Sequence, residues 1–484
     1  MLMENAVLQV LTRNSRTDSI NRLVLLGGLC ATVVLVVVLE VFAAYQFVPT
    51  LAACVLFVLA MALLLKRRVA LMSPFTVALG TIAAIYGLRP LYLALFPNSA
   101  SMAVGMDFSL FLPAMVLVLV FVLSILIGYF SRIGTTVGNR LSVPFPALWS
   151  ERRVRLAILV LIVVSFSSYV MMVRSSGFSL SAGFTNPVAF RAVTSAEGAF
   201  YVAGTAQWSM SAIFFLTAIL ILKRGWTVSR GLFLLFLFAC LAVFSIPYGT
   251  RGAFLQPIFG ILWLSDTVWL RKGLSLSKLI PIVLAVLLFT GAYGVFRDYN
   301  SGISRTNNLN QTLATEGVTG IVERTLNRFD AFDFFVWTLS AFPTPKQGYL
   351  LGRSAVDFIV QPVPRSIWAD KPSQTSAFLA GLFLPNYGRQ WTPEFGLITE
   401  LYVNFWIFGI VLGGVAFGVL VCALEAYLAK HRNNPSVLFL YAPVALLPMS
   451  WLMAGFNSST TIALVMNIVF GTIVLWFVGK RKTK

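Results

Sequence analysis

The chain has 484 residues, of which 58% are hydrophobic and only 11% are charged, and its formal net charge is +19. This composition, with repeated apolar runs of about twenty residues, is typical of a polytopic helical membrane protein and excludes a soluble globular protein. All four cysteines lie within apolar runs, so the sequence offers neither a disulfide framework nor a cysteine-based metal site.

The apolar runs predict an all-α membrane helical bundle of about twelve spanning helices. The predicted spans are 23–43, 47–65, 74–95, 110–130, 156–173, 201–222, 231–247, 253–270, 279–296, 396–424, 437–455 and 461–478. They divide the chain into membrane helices with short loops (1–296), a large and partly helical outer loop (297–395), and three further spans with a basic tail (396–484). No small-residue cleavage site follows the first span, which is therefore predicted to be an uncleaved anchor.

Lysine and arginine clusters occur at alternate gaps between the predicted spans. They are Lys66–Arg68, Arg132–Arg155, Lys223–Arg224, Arg271–Lys272, Lys430–Arg432 and Lys480–Lys482. Because cytoplasmic loops of membrane proteins are enriched in these residues, the clusters and both termini are predicted to be cytoplasmic. Nearly all of the net charge then falls on that side, so it is a signal of topology and does not indicate nucleic-acid binding.

Three features of the first nine spans bear on function. Arg89 lies toward the predicted outer end of its span, where the sequence favours a side chain that extends to the membrane interface over one that faces the bundle. Arg191 lies midway along an irregular outer loop and is a candidate anion ligand, although a solvated arginine explains it equally well. The turn Tyr248–Gly252 places Arg251 at the outer membrane boundary, where it would contact either a carboxylate or an anionic ligand.

The large outer loop carries most of the candidate site residues. Residues 317–342 predict an amphipathic helix with Arg324 and Arg328 on one face, while Asp330 and Asp333 lie toward the other side. Neither arginine has an acidic residue three or four positions away, so the two either point into water or bind a phosphate together.

A second candidate region of this loop runs from Pro364 to Pro372 and contains Arg365, Trp368, Asp370 and Lys371. The bracketing prolines predict a shaped loop that is neither a helix interior nor a strand interior. A later stretch, 386–394, again mixes aromatic and charged residues, which is typical of a sugar-binding surface and equally of a membrane interface.

The motifs between residues 245 and 415 resemble those of Wzy-type bacterial oligosaccharide repeat-unit polymerases. The motifs are the turn Gly249–Arg251, the pair Arg328-x-Asp330, the Pro364–Pro372 box and the run Thr399–Gly409. The resemblance implies polymerisation of undecaprenyl-pyrophosphate-linked repeat units of O-antigen or exopolysaccharide at the outer face of the cytoplasmic (inner) membrane. It implies no cofactor and no metal, and a chain-length-regulating co-polymerase as a further partner. The Arg-x(10)-Gly pattern of some family members is missing from the outer loops.

By this resemblance, an acceptor hydroxyl attacks the anomeric carbon of the donor and the lipid pyrophosphate leaves. Arginine and lysine would stabilise the leaving group, with Trp368 also in the substrate site. The candidate cations are Arg191, Arg251, Arg324, Arg328, Arg365 and Lys371. A base would have to be a carboxylate, since the single histidine, His431, lies on the predicted cytoplasmic side. The candidate bases are Asp330, Asp370, Glu394 and Glu400.

Two other functions fit about twelve spans. A lipid-linked oligosaccharide flippase or other transporter should have charged residues at the membrane centre and two similar halves, and the sequence indicates neither. A glycan ligase would use the same donor and differ only in the acceptor, which the sequence does not reveal.

Overall fold

The structure of the protein is a computed structural model that describes most of the predicted spans. The described residues are 48–65, 70–96, 108–142, 145–177, 199–225, 227–245, 252–269, 329–344, 348–360, 375–383, 394–456 and 458–480, with shorter pieces between 277 and 293, at 326, and between 363 and 370. In this part of the chain the regular secondary structure is helical, apart from isolated bridge residues such as Trp149 and Gly479. The prediction of an all-α membrane protein is confirmed at this level.

The α-helices of the described residues follow one another with few long gaps. They are α1 (Val48–Leu65), α2 (Pro74–Ile82), α3 (Arg89–Leu95), α4 (Phe111–Phe130), α5 (Arg132–Arg140), α6 (Glu151–Ser176), α7 (Ala199–Arg224), α8 (Val228–Ser245), α9 (Gly252–Leu264), α10 (Ala331–Ala341), α11 (Arg353–Val360), α12 (Thr375–Phe383), α13 (Gly396–His431), α14 (Pro435–Tyr441), α15 (Leu447–Ala454) and α16 (Ser458–Val478). A π-helical turn, Ala83–Leu88, joins α2 to α3.

Within the described residues, six helical stretches are long and apolar enough to cross a membrane. They are Pro74–Leu95, Phe111–Phe130, Glu151–Arg174, Gly204–Arg224, Gly396–His431 and Pro435–Ala454. The predicted spans 47–65, 74–95 and 110–130 agree with the observed helices to within one residue. The total of about twelve spans stays a prediction, and the first of them, 23–43, lies outside the described residues.

Helix α13 is not the single straight span that the sequence predicted over 396–424. Its backbone breaks at Phe405 (φ −140°, ψ 22°) and Trp406 (φ 55°, ψ −145°), which separates a short arm (396–404) from a long arm (407–431). A Cβ built on Gly413 would lie 2.3 Å from the Leu401 side chain. Twelve residues of straight helix would separate these positions by about 18 Å. The short arm therefore folds back along the long arm.

The break in α13 coincides with hydrogen bonds between two of its carbonyl groups and a segment distant in sequence. The backbone N–H of Leu350 donates to the carbonyl of Val403 at 2.8 Å, and the N–H of Leu351 donates to that of Asn404 at 3.1 Å. These carbonyls lie at the end of the short arm, where a continuous helix would have bonded them to its own next turn. A segment of the predicted outer loop therefore caps the end of the short arm.

The long arm of α13 packs closely against α4 and α5. A Cβ added to Gly128 of α4 would lie 2.1 Å from the carbonyl oxygen of Val415, and one added to Gly418 would lie 2.0 Å from that of Ile125. Small residues at these positions let the two backbones approach, as is common between membrane helices. The close packing of α4 against the long arm of α13 supports the short arm.

Helix α10 belongs to the predicted outer loop, yet it is packed into the bundle. Its residues Phe332, Phe334, Phe335 and Val336 are at most 1% exposed and share one core with the residues of α1 to α4. The predicted helix over 317–342 is not continuous, because Phe329 and Asp330 are non-helical and α10 begins at Ala331. The loop is therefore partly an internal element of the bundle.

The predicted cytoplasmic gaps meet at one end of the bundle. The Trp149 indole donates to the Ser436 hydroxyl at 3.0 Å, and the Lys430 ammonium donates to the carbonyl of Asn139 at 2.6 Å. Arg153 donates to the carbonyl of Gly479 at 2.9 Å. These contacts join three segments that the charge pattern assigned to one side of the membrane, namely 131–155, 425–436 and the C-terminal tail, and we refer to this region as the basic end.

Candidate functional site

A buried ion pair joins the predicted outer loop to the helices of the bundle. The Arg89 guanidinium donates from Nε to Oδ1 of Asp333 at 3.0 Å and from Nη2 to Oδ2 at 2.5 Å. Both side chains are 1% exposed. The sequence favoured an Arg89 side chain at the membrane interface, and this prediction is wrong because Asp333 of α10 supplies a counter-charge inside the bundle.

Because both side chains of this ion pair are buried, each charge depends on the other for its stabilisation. Burial raises the pKa of the Asp333 carboxyl, and the Arg89 guanidinium opposes that rise by favouring the carboxylate. The guanidinium also lies 5.8 Å from the centre of the Tyr92 ring. Since an unpaired buried charge costs several kcal/mol, the pair fixes α10 against α3.

Four elements converge at Gly396, the first residue of α13. Its φ of +74° is in the left-handed region that favours glycine. A Cβ at this position would lie 2.9 Å from the Ala331 Cβ, 3.1 Å from the Leu452 carbonyl oxygen and 3.3 Å from the Tyr86 hydroxyl. The π-helical turn, α10, α13 and α15 therefore meet where any side chain would separate them.

Glu400 lies one turn into the short arm and is only 2% exposed. Its Oε2 accepts a hydrogen bond from the backbone N–H of Phe456 at 3.0 Å. A Cβ added to Gly455 (φ +66°) would lie 2.5 Å from Oε1. The carboxylate therefore holds the turn between α15 and α16 and is shielded from solvent.

Asn404, at the end of the short arm, binds the start of α11 with its side-chain amide. Its Oδ1 accepts from the N–H of Gly352 at 2.9 Å and from that of Ser354 at 3.4 Å, while Nδ2 donates to the Ser354 hydroxyl at 2.8 Å and to the Glu400 carbonyl at 2.7 Å. The sequence motif contains Asn404 but gave it no role. A buried, fully hydrogen-bonded amide of this kind is a specific positioning device.

The other predicted site residues in the described part of the chain are more accessible than Glu400. Asp330 is half-buried at the start of α10, and Asp370 and Glu394 are exposed. The Trp368 side chain is 42% exposed. Asp330 precedes Asp333 by one helical turn, which makes it the candidate base nearest in sequence to the buried ion pair.

The six predicted cations, Arg191, Arg251, Arg324, Arg328, Arg365 and Lys371, lie outside the described residues. A phosphate site shared by Arg251, Arg328 and Arg365 therefore stays a prediction. Among the described residues, no group of three or more His, Cys, Asp or Glu side chains is arranged to hold a metal ion.

Sequence reasoning missed Asp333 and Asn404 as positioning residues. The pattern of 317–342 places Asp333 on the side of the helix away from Arg324 and Arg328, although the residues beside it, Phe332, Phe334 and Phe335, are all apolar. That continuous apolar character was the available signal, since it is typical of a buried helix in which a lone carboxylate needs a cationic partner.

No protein-family model, curated protein or solved structure matches the chain. The likeness to Wzy-type polymerases therefore depends on the motifs described above.

Proposed function

We propose that the chain polymerises oligosaccharide repeat units carried on undecaprenyl pyrophosphate, at the outer face of the bacterial cytoplasmic membrane. The reaction forms a glycosidic bond between an acceptor hydroxyl oxygen and the anomeric carbon of the donor glycan. The bond from that carbon to the pyrophosphate oxygen breaks, and lipid pyrophosphate leaves with the electron pair. The hydroxyl proton passes to a carboxylate.

The observation that supports this proposal is the Arg89–Asp333 ion pair, which joins the outer loop to the bundle. Transfer between two large lipid-linked substrates requires the reacting groups to be held in a fixed geometry. Asp330 lies one turn before Asp333, at the point where the buried helix α10 meets the half-exposed loop. A partly exposed carboxylate beside a buried ion pair is in a position suited to a general base.

We assign the base to Asp330 and give Glu400 a positioning role, because Glu400 is buried and bound to the Phe456 N–H. The cations Arg251, Arg324, Arg328, Arg365 and Lys371 are proposed to bind the pyrophosphate, and Arg191 is a further candidate. Arginine suits this role since its planar fork matches two phosphate oxygens at once. Trp368 would stack on a sugar ring.

The test is complementation of a strain that lacks the gene, read out as the length distribution of its surface polysaccharide. Asp330→Asn should leave single repeat units on the surface and no polymer, with normal protein in the membrane. A matched control is Glu151→Gln, which neutralises an exposed carboxylate at the basic end and should leave the polymer unchanged. Wild-type polymer from Asp330→Asn would contradict the assignment of the base.

A flippase or other transporter of lipid-linked oligosaccharide is favoured by a separate observation. Arg89, Asp333 and Glu400 are ionisable yet buried between helices, and such residues in a membrane bundle commonly mark a transport pathway. The same strain separates the functions. Loss of a polymerase leaves single repeats on the surface, loss of a ligase leaves none there, and loss of a flippase retains the lipid-linked repeat inside the membrane.

A further inference from the structure

A groove lies between α6 and α8 at the basic end of the bundle. Both helices pack against α7, whose residues Ile213, Thr217, Leu220 and Ile221 form the floor of the groove. The volume of the groove is about 450 Å³. Its walls are apolar along most of their length, so it can accept a hydrocarbon chain.

Each of the three helices contributes one arginine to the same end of this groove. Arg155 of α6 is followed on the groove wall by Ile158 and Ile162, and Arg230 of α8 is followed by Phe233 and Leu237. Both series have the spacing of one helical face. Arg224 ends α7 between them. The groove therefore has a cationic end and an apolar length, which is the polarity of a phospholipid.

The charges at this end are only partly compensated by the described residues around it. Glu151 accepts hydrogen bonds from Arg224 and lies 3.7 Å from the Arg155 guanidinium. Arg230 donates instead to the carbonyls of Arg224 at 3.0 Å and Gly225 at 2.6 Å. Carbonyl groups orient a guanidinium without neutralising it. Three arginines facing one carboxylate leave a positive site with free donor groups.

The surroundings of the groove indicate where its ligand comes from. The outward faces of α6 and α8 are apolar and open, with Leu159, Val163, Leu232 and Phe236 each at least 60% exposed. In a membrane these faces contact acyl chains, and the groove opens between them. A water-soluble anion would have no use for the apolar length, whereas a membrane lipid enters it directly from the bilayer.

We propose that this groove binds one anionic phospholipid, with its phosphate at Arg155 and Arg230 and an acyl chain along the groove. Arginines at the ends of membrane helices beside an apolar crevice are a known form of lipid headgroup recognition. The site lies at the opposite end from the buried Arg89–Asp333 pair and does not depend on the proposed polymerase activity.

The test is native mass spectrometry of the full chain in detergent, titrated with phosphatidylglycerol or with phosphatidylcholine. Wild-type protein should retain one phosphatidylglycerol in preference to phosphatidylcholine. The double variant Arg155→Gln/Arg230→Gln should bind phosphatidylglycerol on the order of 30-fold more weakly, because each cation near a lipid phosphate contributes about one kcal/mol. The matched control is Arg140→Gln, an exposed arginine of α5 that does not line the groove.

A second variant keeps the arginines and fills the groove. Ile162→Trp should also weaken retention of phosphatidylglycerol, since the acyl chain loses its space, and the protein should stay monodisperse because Ile162 is 47% exposed. Equal retention by the double variant and the Arg140→Gln control would overturn the proposal. So would full displacement of the lipid by glycerol phosphate at the same concentration, because that result would mean that the groove contributes nothing to binding.

Discussion

Two arginine–carboxylate pairs at opposite ends of the bundle have the same geometry and different consequences. In both, an arginine uses Nε and Nη2 to reach the two oxygens of one carboxylate. Arg89 and Asp333 are 1% exposed, whereas Arg224 and Glu151 are 44% and 52% exposed. Separating the buried pair would expose an unpaired charge to the core at a large energetic cost, so this pair is structural. The exposed pair can separate at little cost and exchange partners with a ligand.

The buried pair should show the largest effect when one partner is removed. Asp333→Ala leaves the Arg89 guanidinium uncompensated in the core, and we expect a loss of about 3 to 5 kcal/mol of stability. Thermal unfolding of the purified protein in detergent measures the change. The double variant Arg89→Met/Asp333→Leu removes both charges and should recover most of the loss. A double variant as unstable as Asp333→Ala would show that the hydrogen bonds, and not the unpaired charge, dominate.

The junction beside this pair should be nearly as sensitive to one added methyl group. Gly396→Ala would put a Cβ 2.9 Å from Ala331 and force a left-handed φ of +74° on alanine, so we expect a loss of about 2 to 3 kcal/mol. Gly381→Ala is the matched control, because its Cβ would meet no atom within 4 Å and the residue lies inside helix α12. Equal melting temperatures for the two variants would contradict the described junction.

The contrast between the two ends also explains what the sequence could predict. Helix bounds such as Phe111–Phe130 follow from the length of an apolar run, and two segments that the charge pattern assigned to one side, 131–155 and 425–436, contact each other. The break at Phe405 and Trp406 gave no such signal, because both residues are apolar and continue the run. Its cause is a backbone segment, Leu350 and Leu351, that lies more than fifty residues earlier in the chain.

The candidate site likewise depends on contacts between distant residues that the sequence alone does not predict. Arg89 and Asp333 are 244 positions apart, and nothing in the local pattern of either residue identifies the other as its partner. Residue type alone predicted four candidate bases, but burial separates Glu400 from the exposed Asp370 and Glu394. Burial is a property of the assembled helices, so a single sequence without the fold ranks these carboxylates equally.

Asn404 should give an intermediate effect that stays local. Asn404→Ala leaves the partly buried N–H of Gly352 and the buried N–H of Ser354 without their acceptor, and we expect a cost of about 1 to 2 kcal/mol. Limited proteolysis should then cut near the start of α11 before the bundle unfolds. The control is Asn139→Ala, because Asn139 is exposed and contacts Lys430 through its backbone carbonyl, which alanine retains. Unchanged cleavage at α11 would mean that the Leu350 and Leu351 backbone bonds hold this segment alone.

Removing the carboxylate of the exposed Arg224–Glu151 pair should give the smallest change in stability. Binding of an anionic lipid should become stronger. Among the described residues, Glu151 is the carboxylate that forms ion pairs with Arg155 and Arg224, whose side chains are 70% and 44% exposed. The melting temperature of Glu151→Gln in phosphatidylcholine should therefore match that of the wild type. The freed guanidinium groups should bind phosphatidylglycerol more tightly, since an anion that competes for the groove arginines has been removed. The measurement is the melting temperature of each protein with and without phosphatidylglycerol. A stabilisation by this lipid that is smaller in Glu151→Gln than in the wild type would show that Glu151 positions the arginines for the phosphate instead of competing with it.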